Sequence, residues 1–239
     1  MKAIKYFIYV SLLLVMITPI ITFAEVNTQG LWLGQIEINQ VNEVGNPTDS
    51  ETPTSAYHPF DMKILIHMNA AGKVCLLRNV TIMKKAYVAE GEKAYRRVLL
   101  TDDLLIPKCE GIVRRDGKMI GLRYSCLGFD FDKSLNELPF TGEIGAGKTI
   151  TTAISLSEEH PTNPFRHLYH PDHQSGRNIT RNLSLTFDNK QAGNPDSESF
   201  FLTGVVEETI TGLHKIPIKA GGIFKLQRIS VVNRLNDTE

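Results

Sequence analysis

Charge of one sign is the first thing this chain lacks: 26 Lys and Arg stand against 26 Asp and Glu in 239 residues. That balance leaves no electrostatic footprint for nucleic acid, whose binding draws on an excess of cations. Cysteine is scarce too. Cys75, Cys109 and Cys126 are the only three, with neither a CxxC pair nor a Cys/His zinc spacing among them, so no cysteine-based zinc site is expected. Long stretches of apolar residues at helical spacing are also missing, which argues against a helical fold.

What is present begins with an export signal. Lys2 and Lys5 make a basic start, an apolar run covers about residues 6–17, Pro19 breaks it, and Thr22-Phe23-Ala24 offers a small-residue cleavage site before Glu25. Residues 1–24 are therefore expected to be a signal peptide and 25–239 a single β-rich domain, placed in the periplasm, outside the cell or at its surface. An uncleaved anchor is the alternative, because the apolar stretch is nearly long enough to span a bilayer. In an oxidising compartment the three cysteines allow one disulfide, Cys109 to Cys126 being one pairing, or three buried thiols that serve as small hydrophobes.

Short alternating runs recur through the rest. Residues 60–68 and 73–83 read as strands joined by Asn69-Ala70-Ala71-Gly72, a hairpin connection. Further strands are expected over 31–41, 95–100, 111–113, 119–131, 140–144, 149–156, 180–187, 201–211 and 222–231, with an Asp-Gly turn at Asp116-Gly117. The expected fold is all-β, a single antiparallel barrel or β-sandwich with long loops at about 42–59, 157–178 and 188–199.

Residues 160–173, HPTNPFRHLYHPDH, hold four of the seven histidines. His167, His170 and His173 are spaced by three. Pro164 and Pro171 forbid one continuous helix through them but allow a single turn that sets His167 and His170 on one side. With Asp172, these imidazoles make a donor set suited to zinc or another divalent ion. A purely structural, aromatic-rich loop is the alternative, and no HExxH or similar hydrolase signature accompanies them.

Gly142-Glu143-Ile144-Gly145-Ala146-Gly147-Lys148-Thr149 satisfies the phosphate-loop pattern GxxxxGK[ST]. That chemistry needs a helix after the loop, so that backbone amides and the helix N-terminus hold phosphate. The next residues, Ile150 to Leu156, are β-branched and alternating. Gly142, Gly147, Lys148 and Thr149 are therefore read as a Gly-rich hairpin turn, and no nucleotide is expected.

The phrases GLWLGQIEINQVNEV, ILIHMNAAGKVCLLRNV, VLLTDDLLIP, HPTNPFRHLYHPDH, EETITGLHKIPI and GIFKLQRIS together resemble an uncharacterised β-rich module of exported, often very large multidomain bacterial proteins. The resemblance runs from Gly30 to about Ser230. The family carries no established activity, so it implies an extracytoplasmic β module and no site residues. In such relatives the segment matching 142–149 is a Gly-rich turn without the GKT ending. A looser resemblance is to lipocalin-like barrels: Gly30-Leu31-Trp32 is similar to their GxW start, and residues 222–228 to their closing strand. It implies that Trp32 packs at a closed end with Arg228 stacked on it; the alternative is that the only Trp is simply core.

No catalytic set emerges. The expected function is a non-catalytic binding or structural module of the cell envelope or extracellular space, without a cofactor, its partner left open between envelope components and a small apolar ligand. Two alternatives stand: a lipocalin-like carrier of a small apolar ligand, and a metal-dependent hydrolase using the 160–173 loop.

Overall fold

A computed structural model describes residues 27–44, 49–89, 92–110, 113–115, 118–126, 128–132, 134–160, 163, 176–189 and 200–236. Their strands are β1 (Gly30–Val41), β2 (Thr54–Met68), β3 (Val74–Leu77), β4 (Asn79–Ala89), β5 (Glu92–Leu100), β6 (Val113–Arg115), β7 (Lys118–Ile120), β8 (Leu122–Ser125), β9 (Glu137–Pro139), β10 (Thr141–Gly142), β11 (Thr149–Leu156), β12 (Ile179–Phe187), β13 (Phe201–Thr211) and β14 (Ile218–Ser230). One 3₁₀ helix, Asp103–Lys108, comes after β5, and the Asp102 carboxylate caps it by accepting from the Leu104 amide.

The fold is all-β, and its main body is a barrel. Nine strands pair in the order β10-β11-β12-β13-β14-β1-β2-β3-β9, antiparallel at every step. The two edge strands are halves of one short stretch, 137–142. Its first half pairs with β3 and its second with β11. Between them the Phe140 amide donates to Val74 O, 2.9 Å, and Pro139 O accepts from Thr152 Oγ1, 2.9 Å. A single segment thus serves both edges and brings the sheet nearly to closure, which removes the exposed edges of an open sheet.

The sequence of β11, TITTAISL, shows why these strands form. β-Branched residues fit the pleat, and strict alternation sends Ile150, Thr152, Ile154 and Leu156 inward while Thr149, Thr151, Ala153 and Ser155 meet water. Inward residues of the other strands include Trp32, Ile36, Ile38, Ile64, Ile66, Leu76, Leu185, Leu202, Phe224 and Leu226, all in one buried cluster. Among the described residues these inward side chains pack against one another across the interior. At Gly34 an added Cβ would sit 2.2 Å from Leu226 Cδ2, so the neighbouring strand's side chain takes that space.

The small sheet, β5-β4-β8, covers the outside of the barrel at β2 and β3. Val80, Ile82, Leu99 and Cys126 belong to the main cluster with Leu65, Cys75 and Leu77. The opposite face carries Met83, Val98, Leu100 and Cys109, packed with Leu105 and Ile106 of the 3₁₀ helix. The C-terminal residues staple the two bodies together: Asn236 accepts from the Thr101 amide through Oδ1, 2.9 Å, and donates Nδ2 to Thr101 Oγ1, 2.7 Å.

Three expectations need correction. The strand expected over 73–83 divides at Arg78: β3 stays in the barrel and β4 departs to the small sheet. The strand expected over 119–131 ends at Ser125, and the described residues from there to 132 form no strand, although Phe129 and Phe131 are fully buried. Two aromatics at i and i+2 imitate strand alternation, but here they enter the core from a loop. The loop expected over 42–59 is shorter, because β2 pairs back onto β1 at Thr54 and Ser55. Residues 56–59 bulge between Ser55 and Phe60, where Pro59 needs no ladder partner. The three cysteines are free and buried, Cys109 lying in a different cluster from Cys126.

Candidate functional site

A groove of about 730 Å³ lies on the outer face of β13, β14 and β1. The strand registers build it as a grid. Phe201, Gln227 and Leu33 form one row, Thr203, Lys225 and Gln35 the next, and Val205, Ile223 and Glu37 the third. Alternation makes these the outward residues of their strands, yet four of the nine are large and apolar, and Val205 and Ile223 are exposed. Lys225 sits at the grid's centre with its ammonium 4.4 Å from the Phe201 ring centroid, a cation–π contact worth ~0.5–1 kcal/mol at an exposed site. Asp188 borders the groove and accepts from Thr203 Oγ1 at 2.7 Å. The face therefore offers a central cation, an apolar surround and carboxylates at the edge, which suits a partner that is itself amphipathic.

The barrel's two ends are occupied by its own side chains. At the start of β1, Trp32 is enclosed by Phe200, edge-on at 5.7 Å, and by the Arg228 guanidinium, 5.5 Å from the indole centroid. The far end holds the Arg181–Glu208 ion pair, with side chains 11% and 4% exposed. Arg181 also donates Nη1 to Gly128 O, 3.0 Å, and lies 4.8 Å over the Phe129 ring. Phe129 thus closes this mouth from the loop after β8.

A second cleft, about 360 Å³, brings together His67, Lys73, Cys75, Glu137 and Arg234. His67 and Cys75 are directly opposed on β2 and β3, and Glu137 stands on β9 beside them. A thiol, an imidazole and a carboxylate lining one cleft have the composition of a nucleophilic site. The electrostatics oppose it. Burial, then the charge and hydrogen bond of Glu137, push the Cys75 thiol up to about 12, so the reactive thiolate is suppressed. Burial also lowers the proton affinity of His67, whose Nε2 is engaged by Val232 O at 3.1 Å. Sequence reading missed this trio, because strand pairing alone joins residues so far apart in the chain.

The stretch Gly142 to Thr149 turns from β10 into β11, a strand. Gly142 and Gly147 take φ of 104° and 67°, the left-handed region glycine tolerates. The Gly147 amide donates to Phe187 O and the Lys148 amide to Gly145 O, both 3.0 Å. Lys148 Nζ lies 3.7 Å from Glu143. The amides that a phosphate loop aims at its ligand are spent here on the turn and on β12.

His167, His170, His173 and Asp172 lie outside the described residues, as does the expected signal peptide, 1–24. The base of their loop is described: buried Asn163 donates Nδ2 to Ser157 O, 2.8 Å, and to Arg177 O, 2.7 Å, drawing the loop's two ends together. Among the described residues no three His, Cys, Asp or Glu side chains converge as a metal site. The fold and grooves define the protein as an all-β barrel with a small flanking sheet. The chain matches no family model and no curated protein.

Proposed function

We propose that the protein is a non-catalytic binding module, exported to the cell envelope or extracellular space, that engages its partner on the outer face of β13, β14 and β1. The observation that carries this reading is the groove grid of Leu33, Phe201, Val205 and Ile223 around Lys225. Four apolar side chains stand on the wet side of these strands, against the alternation that β11 follows strictly. The resemblance to modules of exported proteins agrees with it.

The test is saturable retention of the purified chain from Glu25 on isolated envelope fractions. Val205→Glu/Ile223→Glu is expected to fold as wild type and to lose retention. Equal retention by this variant overturns the groove. Elemental analysis of the same preparation addresses the hydrolase alternative: near-stoichiometric zinc, lost in His167→Ala/His170→Ala, transfers the functional reading to the 160–173 loop.

A lipocalin-like carrier is the second reading, favoured by the Trp32–Arg228 stack at one end of an antiparallel barrel. Against it stands the packing of the described inward side chains against one another. An equimolar apolar molecule extracted from the purified protein supports the carrier, and its consistent absence from preparations made in the native host removes that support.

A further inference from the structure

Gly221 stands inside β14 where neither backbone angle nor packing requires a glycine. Its φ is not in the left-handed region. An added Cβ would meet Gln40 Oε1 at 3.4 Å and Val206 O at 3.8 Å, ordinary van der Waals distances. Its neighbour Gly222 differs, since a Cβ there would collide with Glu37 O. The bulge between Ile38 and Gln40 lies on the facing strand β1 and sets Gln40 opposite Gly221. Glycine weakens a strand interior, and one that the fold does not demand marks a close approach of other atoms to the backbone.

Strand register places Gly221 in a rung that crosses six strands: Thr141, Thr151, Ser184, Glu207, Gly221 and Gln40. Alternation turns this rung to the outside of the barrel, with Thr141, Thr151, Glu207 and Gln40 exposed. Five steps of ~4.8 Å give it a length of about 24 Å. Two clefts lie along it and share Glu207 and Thr209, one of about 720 Å³ over β13, β14 and β1 and one of about 380 Å³ over β11, β12 and β13. Hydroxyls and an amide dominate the rung, and Glu207 is its one charged member. The lysine of the larger cleft, Lys219, is paired with Glu51 at 3.4 Å. One rung away, Val205 and Ile223 stand opposite each other and line both the larger cleft and the groove.

We propose that this rung holds a neutral polysaccharide chain, laid across the strands with a sugar ring over Gly221. The proposal rests on the reading of this face as the binding surface and names the chemistry of its partner. Sugar hydroxyls donate and accept, and the rung's hydroxyl, amide and carboxylate groups answer both roles. Val205 and Ile223 offer apolar contact to the C–H faces of the rings. A polyanion meets a carboxylate in this rung and no cation. A bilayer meets hydroxyls where it needs apolar and basic groups. An extended peptide adds along a free strand edge, whereas β11, β12, β13, β14 and β1 are each paired on both sides.

The test measures retention of the chain from Glu25 on three probes from the native host. They are the intact envelope, its polysaccharide freed of protein and lipid and coupled to beads, and vesicles of the extracted lipid. Retention is expected on the first two and not on the vesicles, and is expected to be unchanged between ~0.1 M and ~1 M salt, because no charge pairing carries it. Gly221→Val is expected to lower retention on the polysaccharide about tenfold by filling the place of the ring. It is expected to unfold at the wild-type temperature or above, since valine suits a strand better than glycine. Gln40→Ala/Ser184→Ala removes hydrogen-bonding groups without adding bulk and is expected to lower retention by a similar factor. Glu207→Gln is expected to stay within about twofold of wild type, because an amide still bonds a neutral partner. Retention on the intact envelope but not on the polysaccharide, with Val205→Glu/Ile223→Glu unretained, overturns this inference and leaves the groove standing. Wild-type retention in a folded Gly221→Val or in Gln40→Ala/Ser184→Ala overturns it as well, as does a loss at high salt or in Glu207→Gln. No retention on any probe overturns the reading of the face itself.

Discussion

Arg228 lies over the indole of Trp32 in a place sealed from water, the two residues being 1% and 0% exposed. Its Nη1 donates to the carbonyls of Asn27 and Gln29, at 2.8 and 3.3 Å, so one guanidinium ties the residues leading into β1 to the last barrel strand. Burying that charge is costly, and the carbonyls and the faces of Trp32 and Phe200 offset it. Arg228→Leu leaves two carbonyls without their donor and is expected to lower the unfolding free energy by about 2–4 kcal/mol in urea titration. Trp32 is the only tryptophan, so its emission reports this end alone. It should be blue-shifted and shielded from iodide in the wild type and exposed to it in Arg228→Ala. A shielded, unshifted indole in that variant contradicts the capping role.

The opposite mouth makes a separate prediction. Phe129 is fully buried although no strand carries it, and Phe129→Ala is expected to cost about 3–5 kcal/mol through the cavity it leaves. Glu208→Gln strands the buried Arg181 charge and is expected to cost about 3–5 kcal/mol. Replacing both partners, Arg181→Met with Glu208→Leu, removes the ionic requirement and should cost much less than Glu208→Gln alone. If the double variant is as unstable as the single one, the pair is held by something other than mutual compensation.

Local alternation made much of this barrel legible. β11 and β13 obey their sequence periods, and the β-branched run after Lys148 announced a hairpin where a motif suggested a nucleotide. Long-range events were not written locally. Nothing at Arg78 marks the point where one apolar run splits between two sheets. Phe129 and Phe131 have strand spacing but enter the core from a loop, and Phe129 closes a mouth that only the rolled sheet creates. The groove grid and the His67–Cys75–Glu137 cleft exist only through strand register.

The thiols give a chemical check on the core. Cys75 is pushed up to about 12 by burial and by Glu137, and burial also raises Cys126, whose Sγ donates to Lys63 O at 2.8 Å. Cys109 is buried between the small sheet and the 3₁₀ helix. At pH 8 the folded protein should resist iodoacetamide, and three thiols should react once it is unfolded without reductant. Fewer than three reacting thiols means that a disulfide forms in the exported protein, and rapid modification of the native state means that the small sheet opens.

His67 sets a pH dependence whose sign is fixed by its burial. Removal from water lowers its proton affinity below the ordinary value of 6.5, outweighing the opposing effects of Val232 O and Glu137. The unfolded chain therefore takes up this proton first as the solution is acidified. The contribution of His67 to stability is complete above pH 6.5 and is lost progressively as the pH falls through that value toward the lower folded one. Denaturant midpoints measured between pH 7.5 and about 5 should decline more steeply for the wild type than for His67→Gln, and the difference between the two isolates this group from the other six histidines. Parallel profiles place the acid sensitivity elsewhere. The exposed Asp132, whose carboxylate the Ser134 amide holds below its ordinary value, acts only in a lower window, under pH 3.8, and cannot account for a loss near neutrality.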